Sequence, residues 1–451
     1  MDQSLKMESI ILPGNELYDK KRKVWNATID KHPGVIVVCE SEEDVVKAVR
    51  YAKEKGLSVT PRGGGHHVGG FGTCDEGMVI DLSGMRKVTV NEEQLVAVVE
   101  GGATLGDIDE ETQKFGLATP TGTVSKTGVA GLALSGGLGY LRGKYGLTCD
   151  NLVGANLVTA DGQLLYVNEE QHPDLYWAIR GGGGNFGIVT NFEFKLYPIG
   201  PEVLAVDVMY DYQDAKQIIL KAQEYVNQAP DEVSFNVTVT ALPPAPFLPE
   251  FLHNRKVVMV GGMYAGDPQM GVNVVKPLQE LATPIVDKTG VLPYVALQKN
   301  LDAMVPDHVA VHGTSLYFTE VTEEAVDVLL AKLDNAPMPT YLAQLWALSG
   351  QMNRISPEAT AFSNRDSSFV LLLDFMYMGA GPEVCQQWVD SVYDGLLPLS
   401  NKGTSYLNGI GANEVAAMNT LGKNYGKLAK IKAKYDPENM FRHNHNVRPQ
   451  D

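Results

Sequence analysis

The stretch TPRGGGHHVGG, residues 60–70, sets His66 and His67 directly behind three glycines. Side chains of these types in this order suit three chemistries. They could ligate a metal, supply a base beside a phosphate-binding loop, or carry a covalently attached cofactor whose anionic part rests on bare glycine backbone. The metal reading is the weakest, because neighbouring residues on an extended backbone point to opposite faces and chelate poorly. Neither HExxH nor CxxC occurs in the chain. Cys39, Cys74, Cys149 and Cys385 lie far apart and read as reduced, buried thiols.

Glycine supplies 46 of the 451 residues, and its excess falls between residues 63 and 187 in three clusters: RGGGHHVGG, GVAGLALSGGLGYLRGKYG and RGGGGNFG. One cluster would read as a tight turn. Three in one region read as loops of open N–H groups able to cradle a pyrophosphate. Gly182, Gly184 and Gly187 spell GxGxxG. A Rossmann fingerprint must follow a strand and open a helix, whereas here the helical HPDLYWAIRG precedes it and the strand-like IVTNFEFKLYP follows. A dinucleotide would therefore be held by another architecture.

The frame that positions these loops is legible. VIVVC is a β-branched run expected as a buried strand, Ser41 and Asp44 form a capping signal, and Val45, Val46, Val49 and Ala52 recur at helical spacing before Gly56. LSVTP then gives strand, helix, strand, with the histidine loop at the second strand's carboxyl end, where ligands gather in α/β sheets. Further strands are expected at MVIDLS, KVTV, LVAVVEGGA, NLVGANLV and GIVTNFEFKLYP, with a helix capped by Thr104 and closed by Gly116. Beyond Pro201 glycine thins, and strands such as FNVTVTAL and KVVMVGGMY alternate with helices such as EEAVDVLLAKLDN. That pattern predicts a separate α+β unit, with ALPPAPFLPEFLHN as a surface excursion.

Composition bounds the function. Hydrophobic residues at 44% and charged residues at 20% describe a folded globular chain, long enough for two or three units. With 37 basic against 54 acidic residues the net charge is −17, which repels phosphate backbones and anionic membrane surfaces. No nucleic-acid or membrane partner is expected. The start lacks a secretory pattern and no run of about 18 apolar residues occurs, so the expected setting is cytoplasmic.

Taken together, VWNATIDKHPGVIVVCESEEDVVKAV, PRGGGHHVGG, PTGTVSKTGVAGLALSGGLGYLRGKYGLTCDNLVGANLVTADG, DLYWAIRGGGGNFGIVTNFEFKLYP, PEATAFSNR, SYLN and NYGKLAKIKAKYDPENMFRHNHNV resemble the FAD-linked oxidases of the vanillyl-alcohol oxidase superfamily. Within it they are similar to the berberine bridge enzyme-like group, related to 6-hydroxynicotine and oligosaccharide oxidases, over nearly the whole chain. The resemblance implies a two-domain α+β fold of the vanillyl-alcohol oxidase (PCMH) type. An FAD-binding domain from residues 1–204 and 404–451 would enclose a substrate domain, residues 205–403, built on an antiparallel sheet flanked by helices. It further implies that Arg62, Gly63, Gly64, Gly65, His67 and Gly69 wrap FAD and that His66 is bonded to the flavin 8α methyl group. Where many members carry a second, cysteinyl tether, this chain has Val124, so the bond through His66 is expected to be the only one.

By the same matching, Thr121, Gly122, Thr127, Gly128, Gly131, Ser135, Gly136 and Gly139 would line the flavin and ribityl chain. Asp150 and Asn151 would support that loop, Ile188 and Val189 would approach the adenine, and Asn408 would contact the ring. The implied reaction moves a hydride from a small alcohol, sugar or amine to flavin N5, with molecular oxygen as final acceptor and hydrogen peroxide as product. Sugar-oxidising relatives use a tyrosine just after the asparagine of YxN, where this chain has Gly409. Tyr406 and Asp374 are the candidate catalytic residues in its place. A flavin dehydrogenase with another acceptor, and a flavin-binding protein without turnover, are the alternative readings.

Overall fold

The strand Val35–Val38 is buried almost throughout, as its β-branched composition dictates, and pairs in parallel with Met78–Asp81. The helix Glu42–Lys55 between them begins where Ser41 Oγ accepts the Asp44 N–H and ends at Gly56, whose φ of 64° only glycine adopts without cost. Its buried face of Val45, Ala48, Val49 and Ala52 is one helical stripe. The strand Val59–Arg62 then joins the far side of Met78–Asp81 in parallel and delivers the chain into the histidine loop at its carboxyl end. The computed structural model describes residues 9–244, 249–377 and 381–450. Residues 1–8, at the start read for a secretory pattern, and 245–248 of the proline-rich excursion lie outside them.

A five-stranded antiparallel sheet follows, in the order Val88–Asn91, Val96–Glu100, Ile188–Lys195, Leu152–Val158, Leu164–Val167. The Thr104 cap is a full capping box with Asp107, and the helix Leu105–Thr112 packs beside this sheet. Leu428, Ala429, Ile431 and Val447 from the C-terminal segment share one buried core with Val99, Phe192 and Phe194. The C-terminal helix Tyr425–Tyr435 is fixed there by a fully buried ion pair, Lys432 to Asp436 at 2.6 Å. Lys432 Nζ also donates to the carbonyls of Asn185 (2.7 Å) and Phe441 (2.9 Å), so it ties this helix to the RGGGGNFG loop. Lys432→Met would leave the buried Asp436 carboxylate without its counter-charge, held only by the N–H groups of Met440 and Phe441, and is expected to cost about 3–5 kcal/mol in urea unfolding.

An eight-stranded antiparallel sheet forms the other half. Its central order is Glu202–Asp211, Lys256–Tyr264, Val233–Ala241, Tyr341–Ala347, Phe369–Tyr377, Ala310–Phe318. Helices Ala215–Val226, Glu323–Asp334 and Pro382–Leu396 cover one face through Ile218, Leu329 and Trp388. The opposite face is turned to the glycine loops. Asn26, 2% exposed, joins the two halves by donating to the carbonyls of Val68 and Val311 at 2.7 and 2.9 Å. Among the described residues no helix is long and apolar enough to cross a membrane.

Candidate cofactor and substrate site

The three glycine clusters, the uncovered sheet face and the HNHN run near the C-terminus enclose one cavity of about 370 Å³. Why glycine is required is visible where two loops meet. A Cβ on Gly64 would lie 2.4 Å from the Gly128 nitrogen, and one on Gly128 would lie 2.2 Å from the Gly64 nitrogen. The backbones touch, so no side chain fits at either position. At Gly131 and Gly184, also in the wall, a Cβ would meet nothing within 4 Å, so bare backbone borders open space.

The structure brings Arg62, Gly63, Gly64, Gly65, His66, His67, Gly122, Thr127, Gly128, Gly131, Ser135, Ile188, Val189, Asn408, Tyr406 and Asp374 together in the wall of this cavity. Gly69, Thr121, Gly136, Gly139, Asp150 and Asn151 stand behind its wall instead. Gly69 N–H donates to His67 Nδ1 (3.0 Å), and a Cβ on Gly139 would fall 1.6 Å from the Thr121 carbonyl. Asp150 holds Arg365 through two bonds of 2.6 and 2.8 Å with both side chains buried, and Asn151 donates to the carbonyls of Tyr145 and Leu147. The Asp150–Arg365 pair anchors the PEATAFSNR segment, whose Phe362 wedges against Gly136 and Gly181.

The two histidines differ in what their rings already do. His67 has both nitrogens engaged: Nδ1 accepts from Gly69, which makes Nε2 the protonated one, and it donates to the Leu407 carbonyl at 3.0 Å. His445 Nε2 reaches the same carbonyl at 2.9 Å, so two imidazoles clamp the turn that carries Tyr406 and Asn408. His66 stacks on Trp25, with ring centroids 4.6 Å apart, and its Nε2 is buried without a partner. Burial pushes His66 and His67 down to about 4 and His445 to about 3, so all three are neutral at pH 7.

Tyr406 is oriented by three donors. The N–H groups of Gly137 and Leu138 and the Asn408 Nδ2 amide all reach its phenolic oxygen at 3.1 Å. Burial nonetheless pushes its acidity down, to a pKa of about 12. The carboxyl of Asp374, on Phe369–Tyr377, has no hydrogen bond to any described residue, and burial raises it to about 6. Its cross-strand neighbour is Gly313, where a Cβ would lie 2.9 Å from Asp374 Oδ1, 3.1 Å from Val68 and 3.5 Å from the Gly409 carbonyl. Asp374 therefore sits beside the histidine loop and the Asn408 turn.

Behind the wall, Thr121 belongs to a buried polar knot with Asp109 and Gln298, whose Nε2 reaches Asp109 (3.1 Å), Thr121 Oγ1 (2.8 Å) and the Gly122 carbonyl (3.0 Å). Burial raises Asp109 to about 7 from its ordinary 3.8. The folded protein thus holds this proton up to near neutrality while the unfolded chain releases it near pH 4, so stability falls as pH rises through that window and levels off above pH 7. Asp109→Asn is expected to raise stability at pH 8 by up to roughly 4 kcal/mol and to have no such effect near pH 4, checked by thermal unfolding across that range.

The fit to a flavin dinucleotide rests on what the wall leaves unsatisfied. Arg62 Nη1, His66 Nε2, Asn444 Oδ1 and Trp346 Nε1 are buried in it without hydrogen-bond partners, a cost of about 1–3 kcal/mol each unless a ligand supplies them. Open N–H groups, an aromatic and apolar lining and a partnerless imidazole suit a large, partly anionic, aromatic cofactor.

Comparison with known proteins decides the family. Residues 33–168 match the FAD binding domain family and residues 416–448 the berberine and berberine-like family. An FAD-linked oxidoreductase of Dictyostelium discoideum is 32% identical over 447 residues, covering 97% of this chain and 93% of the relative. The chain belongs to the berberine-type FAD-linked oxidoreductases. Such an oxidoreductase binds FAD, and the fold agrees: the crystal structure of 6-hydroxy-D-nicotine oxidase from Arthrobacter nicotinovorans matches with a TM-score of 0.88 and 28% identity over all of both chains. Glucooligosaccharide oxidase from Acremonium strictum, described as carrying 6-S-cysteinyl, 8α-N1-histidyl FAD, matches with a TM-score of 0.85 and 25% identity over 98% of this chain and 97% of that one. His443, Asn444 and His445 line the same cavity as well, and the sequence reading does not single them out.

Proposed function

We propose that this oxidoreductase is an oxidase, taking a hydride and a proton from a small alcohol, sugar or amine and delivering both electrons to molecular oxygen. The observation that carries the reading is Asp374, a partnerless carboxylate in the cavity wall next to the loop of His66. Bound FAD supplies the two-electron acceptor and passes the pair to oxygen, which with two protons becomes hydrogen peroxide. Asp374 Oδ takes the heteroatom proton as the substrate carbon loses its hydride. Tyr406 is the weaker base, since three N–H donors already occupy its oxygen; its role is to hold the Gly137 and Asn408 loops together.

His66 is the attachment point and the only one. Its Nε2 has no partner, whereas His67 is committed at both nitrogens. Val124 lines the cavity, while Cys149 is buried outside its wall with its thiol against Asp150. Arg62 and the loops of Gly63, Gly128 and Gly184 would hold the dinucleotide, Ile188 and Val189 its adenine end. The shared cores support an FAD-binding unit of residues 1–204 and 404–451 around a substrate unit of 205–403, since Leu428 and Val447 pack with Phe192 while Val206 and Leu396 share the other cluster. The setting we assign is cytoplasmic.

The test is anaerobic mixing with a panel of alcohols, sugars and amines, followed by air. A donor that bleaches the flavin, with one peroxide formed per donor when oxygen is admitted, bears the reading out. Bleaching that only an artificial acceptor reverses would make the protein a dehydrogenase.

A further inference from the structure

The sheet face that borders the cavity carries a row of side chains remote from Asp374. Asp207 pairs across strands with Gly261, Gly261 with Asn236, and Asn236 with Trp346, so the four residues follow one another across four strands. All of them line the same cavity as Asp374. No hydrogen bond or ion pair joins the Asp207 carboxylate to any described residue. Between it and Asn236 the floor is open, because a Cβ on Gly261 would touch only Asn236 Oδ1, at 3.2 Å. At the other end of the row Trp346, 3% exposed, keeps its indole N–H buried and unpartnered.

Charge decides what such a row accepts. Among the described residues the cavity wall contains no lysine, its one arginine, Arg62, is paired with Asp81 at 2.8 Å, and burial holds its histidines His66, His67, His443 and His445 below the ordinary imidazole value, hence neutral at pH 7. Arg142 lies close to Trp346 but is fully buried and donates to the carbonyls of Gly139, Phe235 and Ala347. Burial raises Asp207 above its ordinary value, Lys288 pulls it back and Asp287 adds to the rise, and the Tyr140 hydroxyl feels both Asp207 and Arg142. The diphosphate of FAD adds further negative charge. An anionic substrate is repelled, and a cation is drawn to Asp207.

Distance decides its shape. Asp207 and Asp374 stand on strands four steps apart in the sheet, about 19 Å at the ordinary strand spacing, and the row of Asp207 meets the strand of Asp374 at Val370, about 13 Å further along it. We propose that the row Asp207, Gly261, Asn236 and Trp346 is a second subsite that receives the ammonium end of an elongated substrate whose other end reacts beside Asp374. The inference rests on the reading of Asp374 as the reacting end.

The test is calorimetric titration of the FAD-loaded protein with two probes of equal length, the glucosamine trimer and the N-acetylglucosamine trimer, slightly below neutral pH so that the free amines are charged. The cationic trimer is expected to bind at least about tenfold more tightly, and Asp207→Asn to erase that preference while the surface substitution Glu92→Gln leaves it. Raising salt from about 0.05 to about 0.5 M should shrink the preference in the native protein, a check independent of how the variant folds. Equal binding of the two trimers, no binding of the cationic one, or a preference that survives Asp207→Asn overturns the proposal. Binding is read without turnover, so a donor panel that fails to bleach the flavin would count against the oxidase reading and leave this result standing.

Discussion

His66→Ala is expected to abolish flavin fluorescence on a denaturing gel completely, while His67→Ala keeps it. A tethering imidazole must offer a neutral nitrogen with a free lone pair. Burial holds His66 neutral down to about pH 4, and one of its nitrogens has no partner in the fold. With FAD held in the cavity, the His66 nitrogen would replace one hydrogen on the 8α methyl carbon and lose its own proton, and the two electrons released would pass to oxygen. His67 could do this only by surrendering the Gly69 and Leu407 bonds that fix its ring. Its loss should instead loosen the turn at Leu407, leaving His445 as that carbonyl's remaining imidazole donor. Flavin retained covalently in His66→Ala would move the tether to another residue. A native protein that releases all its flavin on denaturation would end the covalent reading.

The strand, helix and strand that deliver the histidine loop were legible because periodicity and caps are local signals: Ser41, Thr104 and Gly56 each do in the structure what their types imply. What was not legible is which glycines face the cofactor. Gly64 and Gly128 line the cavity and also touch each other, whereas Gly139 lies behind it with the Thr121 carbonyl at its Cβ position. Contacts of backbone with backbone and of backbone with ligand both demand glycine, so one motif encodes both. The sheet face was obscured differently. In FNVTVTAL the alternation is plain, with Val237 and Val239 in the helix-covered core, and Asn236 and Thr238 on the other face. Polar residues on one face ordinarily mean solvent. Here that face is buried against the cavity, and only the tertiary arrangement reveals it. His443 to His445 were visible as a polar run, but nothing local said that the C-terminus returns to the glycine loops.

The role of Asp374 makes the sharpest kinetic prediction. Asp374→Asn keeps the shape of the side chain and removes its ability to accept a proton, so flavin content and folding should be unchanged. Substrate-driven bleaching should fall by about 10²–10⁴-fold, the usual contribution of a positioned base, equivalent to roughly 3–5 kcal/mol of barrier. A base acts in its ionised form, and burial raises Asp374 to about 6. In the native protein the bleaching rate at low substrate should therefore climb as pH rises through about 6 and flatten above it, and that limb should vanish in Asp374→Asn. Tyr406→Phe separates the two candidates. It removes the oxygen that receives three N–H donors, so it should weaken flavin retention and thermal stability while leaving the limb near pH 6 in place. If the limb survives Asp374→Asn and disappears in Tyr406→Phe, the proton goes to the tyrosine, and its three donors would then be holding a phenolate.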